Sequence, residues 1–181
     1  MTAKRSRVVL ETEGIKQVLQ RMAREIVDSV ADTQKLVLIG IHTGGVHLAR
    51  RLQGIIDAQF DFLAPVGTLD ITLYRDDWTR LHNQPVLRST DLPFPIEDRE
   101  VVLVDDVLFT GRTVRSALDA LIDYGRPRRV QVAVLVDRGH RELPICGQFI
   151  GIQLTTEVDE QVNVLLTEKN SLDRVVIEEP S

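Results

Sequence analysis

The 181-residue sequence lacks the features that mark several classes of protein. Its only cysteine is Cys146, so it can form neither an intrachain disulfide nor a cysteine-based zinc site, and we expect this small side chain in or near the core. No apolar run approaches the roughly 20 residues of a membrane helix, and the polar, basic start has no apolar segment like that of a signal peptide. These absences predict a cytoplasmic protein without membrane contact.

A strong excess of positive charge is also missing. The net charge is −5, which argues against indiscriminate binding to nucleic acid. Residues 1–24 depart from this balance with six basic residues and two acids, so they form either a solvated helix face or a local site for an anionic partner. The hydrophobic fraction of 43% is ordinary for globular proteins, and we expect one domain over residues 1–181.

The most informative stretch is residues 100–113, which read EVVLVDDVLFTGRT. The four apolar residues 101–104 are typical of a strand buried on both faces, and Asp105 and Asp106 follow directly. In an open parallel α/β sheet this position is the carboxyl edge, where ligands bind. Gly111 can take a positive φ and Thr113 is a good N-cap, so the turn predicts an anion site before the next helix.

The two acids cannot bind the same phosphate as the turn, because like charges repel. They are expected to face hydroxyl groups or a cation on another part of the ligand. A phosphate at one end and hydroxyl groups at the other describe a ribose 5-phosphate. For a pair of acids alone, a tight turn with two solvated side chains would be the better interpretation, but the whole ordered string favours the ligand.

Strand and helix patterns alternate along the rest of the chain. Apolar runs predict strands at residues 35–41, 66–73, 101–104 and 130–136, and shorter ones at 8–10, 149–154, 162–166 and 175–177. Apolar spacings of three and four predict helices after residues 11, 45 and 112. The pattern predicts an α/β domain with a largely parallel central sheet and helices on both sides. Residues 74–92 are polar without helical period, which predicts a flexible arm.

Two further strands end in turns that can carry function. Residues 42–45, His-Thr-Gly-Gly, lead from a strand into a helix, but they fit neither a P-loop nor the GxGxxG pattern. Residues 137–141, Asp-Arg-Gly-His-Arg, follow the strand at 130–136 and reach the same carboxyl edge as the two acids. A catalytic His140 is conceivable, but no nucleophile or paired acid supports a catalytic triad, so a substrate or RNA contact is preferred.

The string VVLVDDVLFTGRT resembles the phosphoribosyl pyrophosphate (PRPP) motif of the type I phosphoribosyltransferases. Residues 40–52, 70–77 and 125–145 are similar to those members that regulate pyrimidine operons and are also uracil phosphoribosyltransferases. The resemblance implies the type I fold with an arm over the active site, and transfer from PRPP to uracil with release of UMP. It also implies that PRPP carries Mg²⁺, without a protein metal site, and that no organic cofactor is used. The implied effectors are UMP or UTP, and the implied partner is the leader RNA of pyrimidine genes. The implied assembly is a homodimer or homotetramer. A purine or orotate phosphoribosyltransferase without RNA regulation is the alternative.

The resemblance also assigns residues to roles. The catalytic acids are Asp105 and Asp106. The remaining PRPP and UMP contacts are Thr43, Gly44, Arg88, Val107, Leu108, Phe109, Thr110, Gly111, Arg112 and Thr113. The base is recognised around Val136, Asp137 and Arg138, and Tyr74 and Arg75 belong to the arm. The RNA contacts are Arg21, Arg24, Thr43, His140 and Arg141. Three positions depart from the usual pattern: Gly44 replaces a frequent arginine, and Cys146 and Ile152 replace common basic residues.

Overall fold

The structure is a computed structural model that describes residues 6–76 and 89–179. The strands are β1 (Ser6–Glu11), β2 (Leu36–Ile41), β3 (Val66–Leu69), β4 (Glu100–Leu108), β5 (Arg129–Asp137), β6 (Phe149–Gln153), β7 (Gln161–Leu165) and β8 (Arg174–Glu178). The helices are α1 (Thr12–Asp28), α2 (Gly44–Phe60) and α3 (Arg112–Ile122), with 3₁₀ turns at Thr33–Lys35 and Thr72–Tyr74. None of the helices in these ranges is both long and apolar enough to cross a bilayer.

The main sheet has five parallel strands in the order β3-β2-β4-β5-β6. All six residues of β2 are buried, because helices cover both faces of the sheet. Leu36 and Leu38 pack with the apolar stripes of α1 and α2 on one face. Val37 and Ile39 point to the opposite face, where they pack with α3. The predicted α/β fold with helices on both sides is therefore confirmed.

A smaller antiparallel sheet, β1-β8-β7, joins residues from the two ends of the chain. Arg51 of α2 links it to the main body, donating to Asp173 at 2.6 and 2.9 Å and to Glu168 at 2.6 and 2.8 Å. These hydrogen bonds and charges raise the pKa of Arg51 and lower those of the two carboxyls. The sequence predicted these short strands but not the separate sheet, since pairing across more than 150 residues leaves no local signal.

Several element boundaries differ from the prediction. The strand at residues 66–73 ends at Leu69, because Asp70 accepts from the backbone N–H of Thr72 and turns the chain into a 3₁₀ helix. Strand β4 extends to Leu108, so Asp105 and Asp106 lie inside the strand and not beyond its end. The predicted arm covers residues 74–92, and its residues 77–88 lie outside the described part.

Two side chains are more exposed than expected. Cys146 is exposed in a loop before β6, so the prediction of a core position was wrong. Ile122, which continues the apolar three-and-four spacing of α3 after Val114, Leu118 and Leu121, is nevertheless 71% exposed, and it is the last residue of the helix.

Candidate functional site

A cleft of about 740 Å³ opens at the carboxyl edge of the main sheet. Most of its lining comes from one continuous segment, residues 107–114, which includes the end of β4 and the start of α3. Ser116 of α3, Arg75 and Asp76 from the root of the arm, and Glu142 complete it. The predicted PRPP segment therefore forms the wall of a ligand-sized cavity.

The phosphate turn, residues 108–113, has the geometry of an anion site. Gly111 has φ +92°, the left-handed conformation that glycine adopts without strain, and it is the N-cap of α3. Thr113 lies within the first turn of the helix, so its predicted N-cap role was wrong. The helix begins earlier because the positive φ of Gly111 turns the chain at that point. The first N–H groups of α3 have no intrahelical acceptor, which favours an anion there.

The carbonyl groups of the phosphate turn face the base loop, residues 137–145. Three consecutive carbonyls accept hydrogen bonds from it: Leu108 O from Arg138 N at 3.1 Å, Phe109 O from Arg141 Nη1 at 2.8 Å, and Thr110 O from Glu142 N at 3.0 Å and Leu143 N at 3.1 Å. In a trans peptide the C=O and N–H groups point in opposite directions. The N–H groups of residues 109–111 therefore point away from the base loop, on the side available to an anion.

The two acids differ in environment. Asp105 is 6% exposed and lies opposite Val134 of β5, whereas Asp106 is half-buried. Burial, and then the charge of Asp106, raise the pKa of Asp105 well above its usual value. The Oδ1 of Asp105 accepts from Asp106 N at 2.9 Å, and that of Asp106 accepts from Val107 N at 2.8 Å. Asp106 is therefore the better placed of the two to act as a carboxylate toward a ligand.

The turn between β2 and α2 packs directly on these acids. A Cβ atom at position 44 would lie 2.9 Å from the Cβ of Asp106 and still closer to its carboxylate. A Cβ at position 45 would lie 2.8 Å from the carbonyl carbon of Val104. Thr43, half-buried and N-cap of α2, precedes this contact, and the peptide between His42 and Thr43 is cis. The structure thus brings Thr43 and Gly44 beside Asp106 and supplies a steric reason for glycine at position 44 of this chain.

The base loop carries two arginines that bind protein groups. Arg138 is 6% exposed, and its guanidinium lies 4.1 Å from the ring centroid of Phe109. It also donates to Thr156 Oγ1 and to the carbonyls of Glu157, Val158 and Glu160, at distances between 2.7 and 3.3 Å. Burial lowers the pKa of Arg138. Its guanidinium thus holds the segment before β7 over the end of β5, while Val136 is fully buried in β5.

The backbone groups around Asp137 are also engaged. The carbonyl of Asp137 accepts from Leu154 N at 2.8 Å, and its Oδ1 accepts from Gly139 N at 3.0 Å. His140 has φ +56°, its Nε2 lies 2.7 Å from Thr156 O, and its ring meets Phe109 edge-on at 6.0 Å. Of the predicted base-recognition residues, Arg138 contacts Phe109, whereas Val136 and Asp137 lie opposite Val107 and Leu108 of β4.

The predicted RNA contacts do not gather at one place in a single chain. Arg24 Nε is 3.5 Å from Gln59 Oε1 near the end of α2, whereas Thr43 precedes its first residue. Helix α2 is about 24 Å long at 1.5 Å per residue, so these two positions are far apart. Arg21 donates to Gly151 O at 2.6 Å and to Glu25 at 2.7 Å. Arg141 lies with His140 in the base loop, and four protein acceptors surround it.

The arm residues separate in the structure. The hydroxyl of Tyr74 bonds to Asp123, just after α3, at the opposite end of that helix from the phosphate turn. Arg75 lines the cleft, and Arg88 lies outside the described residues. Arg112 bonds to Asp76 and, at 2.7 Å, to Glu142, two cleft residues that the sequence did not single out. Both acids lie within the segments 70–77 and 125–145 that carry the resemblance, but only the folded arrangement shows that they meet Arg112.

Within residues 6–76 and 89–179, no three His, Cys, Asp or Glu side chains lie close enough to hold an ion. The carboxylate of Asp106 beside the phosphate turn fits a Mg²⁺ ion that arrives on a ligand, since Mg²⁺ commonly binds through one or two carboxylates plus substrate phosphates.

Comparison with protein families and known proteins identifies relatives over nearly the whole chain. The family described as phosphoribosyl transferase domain matches residues 8–166. A bifunctional protein PyrR from Syntrophobacter fumaroxidans is 70% identical over 174 residues, which cover 96% of this chain and 94% of that protein. One from Deinococcus radiodurans is 48% identical over 180 residues, covering 99% and 98%. These similarities agree with the motifs found in the sequence.

Solved structures are similar in fold at low sequence identity. The hypoxanthine phosphoribosyltransferase of Trypanosoma cruzi has a TM-score of 0.72 at 18% identity and covers 97% of both chains. A hypoxanthine phosphoribosyltransferase from Staphylococcus aureus has a TM-score of 0.66 at 20% identity, covering 83% of this chain and 79% of that one. At this identity the likeness concerns the fold and carries no information on the base.

Proposed function

This chain belongs to the phosphoribosyl transferase domain family and, within it, to the bifunctional PyrR proteins, and we propose that it transfers the phosphoribosyl group of PRPP to uracil. The products are UMP and pyrophosphate. The second proposed activity is regulation of pyrimidine genes through binding of their leader RNA in response to UMP or UTP. We propose a single domain over residues 1–181, a cytoplasmic location, and a homodimer or homotetramer as the assembly.

The observation that carries the enzymatic proposal is the hydrogen-bonded phosphate turn next to Asp106. Residues 108–110 direct their carbonyls into the base loop, so a 5-phosphate meets N–H groups at the start of α3. Asp106, four residues before Thr110, then faces the ribose hydroxyls. The turn at Thr43 and Gly44 lies against Asp106, where pyrophosphate leaves. The proposal is thus supported by one group for each part of PRPP: the phosphate turn, Asp106, and the turn at Thr43 and Gly44.

The reaction separates charge at C1 of the ribose and needs no protein nucleophile. The protein orients uracil and PRPP and stabilises the charge that develops, mainly through fixed N–H groups and carboxylates. Mg²⁺ carried by PRPP would neutralise the charge of the pyrophosphate, and Asp106 is the residue that would contact the ion. Asp105 supports Asp106 by accepting its backbone N–H.

The base is the least constrained part of the ligand. Uracil has two carbonyls and a ring N–H, and it requires complementary donors and an acceptor around the base loop. Because the N–H of Arg138 already donates to Leu108 O, the donors for the uracil carbonyls have to come from other atoms near Phe109 and His140, whereas the carbonyl of Asp137 keeps a second lone pair that can accept. A transfer assay with uracil, hypoxanthine and orotate tests this assignment. Preference for hypoxanthine or orotate would refute the uracil reading and favour the alternative phosphoribosyltransferases.

The RNA proposal depends on basic residues away from the cleft. Arg21 and Arg24 are exposed on α1, and among the described residues Arg24 makes one hydrogen bond, at 3.5 Å, so it can readily turn to a phosphate. Filter binding of a pyrimidine-leader hairpin across salt concentrations tests the role. Arg24→Ala should reduce the salt slope by roughly one unit and weaken binding at every salt concentration. Equal binding of a scrambled hairpin would remove the support for specific RNA recognition.

A further inference from the structure

Arg141 lies where the base loop joins the phosphate turn. Its Nη1 donates to Phe109 O at 2.8 Å and to Gly139 O at 3.1 Å, its Nε to Ile145 O at 2.8 Å, and its Nη2 to Asp137 Oδ2 at 2.6 Å. Four of its five N–H groups are therefore engaged within the protein. The side chain is 23% exposed and that of Asp137 is 11% exposed, so this charge pair is shielded from water.

From this geometry we propose that Arg141 is a positioning residue for the phosphate site, an inference that rests on the proposed phosphoribosyl transfer. Arg141 fixes the carbonyl of Phe109, and the N–H in the same peptide, that of Thr110, points the opposite way. The bond from Glu142 N to Thr110 O at 3.0 Å orients the next peptide in the same sense. Among the hydrogen bonds from the base loop to the carbonyls of the phosphate turn, the one from Arg141 comes from a side chain. Arg141 also connects the turn to Asp137 through its bond to Oδ2.

An RNA contact through Arg141 is the competing interpretation. A phosphate of RNA would find one N–H group not already engaged, and stronger binding would require breaking bonds to Asp137 or Phe109. Arg24, by contrast, makes one long hydrogen bond within residues 6–76 and 89–179, and it would lose little on turning to RNA. Lysine cannot replace Arg141 fully, because one ammonium group cannot reach four separated acceptors in the plane of a guanidinium.

The effect of the 5-phosphate on binding provides the test. Isothermal titration gives one dissociation constant for UMP and one for uridine. The uridine constant divided by the UMP constant isolates the contribution of the phosphate to binding. In Arg141→Gln this ratio should fall roughly tenfold to a hundredfold, the loss expected when a charge-assisted hydrogen bond disappears and the turn moves. Arg141→Lys keeps the contact with Asp137 and should show a smaller fall. Arg128→Gln, the matched loss of one exposed positive charge just before the amino end of β5, should leave the ratio unchanged.

Global destabilisation alone would lower the melting temperature without changing the ratio in the folded protein. If Arg141→Gln does not fold, Arg141→Lys decides, and a wild-type ratio in that variant overturns the proposal. A wild-type ratio in Arg141→Gln with weaker binding of leader RNA would also overturn it and assign the residue to RNA. Equal affinity of the wild-type protein for UMP and uridine would instead refute the proposed phosphate site, and this inference with it.

Discussion

Replacing Gly44 by alanine adds a single methyl group at the start of α2, and we expect this change to impair phosphoribosyl transfer. The new Cβ would lie 2.9 Å from the Cβ of Asp106 and closer to its carboxylate, so either the carboxylate or the turn must move. Overpacking of this kind costs about 1–3 kcal/mol. A displacement of about 1 Å in a reacting group can lower the rate about a hundredfold. We therefore expect a large loss of phosphoribosyl transfer together with a modest loss of stability.

Gly54 offers a matched control on the same helix. A Cβ added there would meet no atom within 4 Å, and the residue lies inside α2. Gly54→Ala should stabilise the protein by about 0.4–1 kcal/mol, because alanine is the better helix former, which corresponds to a rise in melting temperature of roughly 1–4 °C. Its transfer rate should equal that of the wild type. Wild-type activity and stability in Gly44→Ala would refute the contact between the glycine turn and Asp106.

Three further changes test other parts of the account. Asp106→Asn should reduce transfer far more than Asp105→Asn, because burial already favours the protonated form of Asp105; equal losses would contradict the different roles. Since the folded pKa of Asp105 is raised, the wild type should lose stability as the pH rises from the unfolded pKa of about 3.9 toward the folded one, and Asp105→Asn should reduce this loss in melting curves across pH. Arg51→Met should leave the 10% exposed Asp173 unpaired and lower the free energy of unfolding in urea by about 1–3 kcal/mol, and an unchanged midpoint would show that the small sheet is held by other contacts.

Local patterns in the sequence were sufficient for the central motif. The order of buried strand, acids, glycine turn and helix around residues 100–113 is encoded in consecutive residues, and the structure forms it with the predicted positive φ at Gly111. The exact start of α3 was not predictable from capping preferences, because Thr110 and Thr113 are both plausible caps and the glycine between them decides the turn.

Long-range contacts limited the rest of the prediction. The pairing of β1 with β8 and the use of Arg138 to hold the carbonyls of residues 157, 158 and 160 depend on the folded chain. From the sequence, Arg138 is a candidate ligand contact because it follows a strand. The folded structure shows that its N–H groups donate to protein carbonyls instead. The exposed position of Cys146 likewise depends on the path of the loop before β6.

A crystal structure with UMP bound tests the central claim most directly. The account predicts the 5-phosphate within hydrogen-bonding distance, about 2.7–3.2 Å, of backbone N–H groups in residues 110–113. It also predicts the ribose hydroxyls beside the carboxylate of Asp106 and the uracil ring near Phe109. A phosphate bound elsewhere, or a ribose turned away from Asp106, would contradict it.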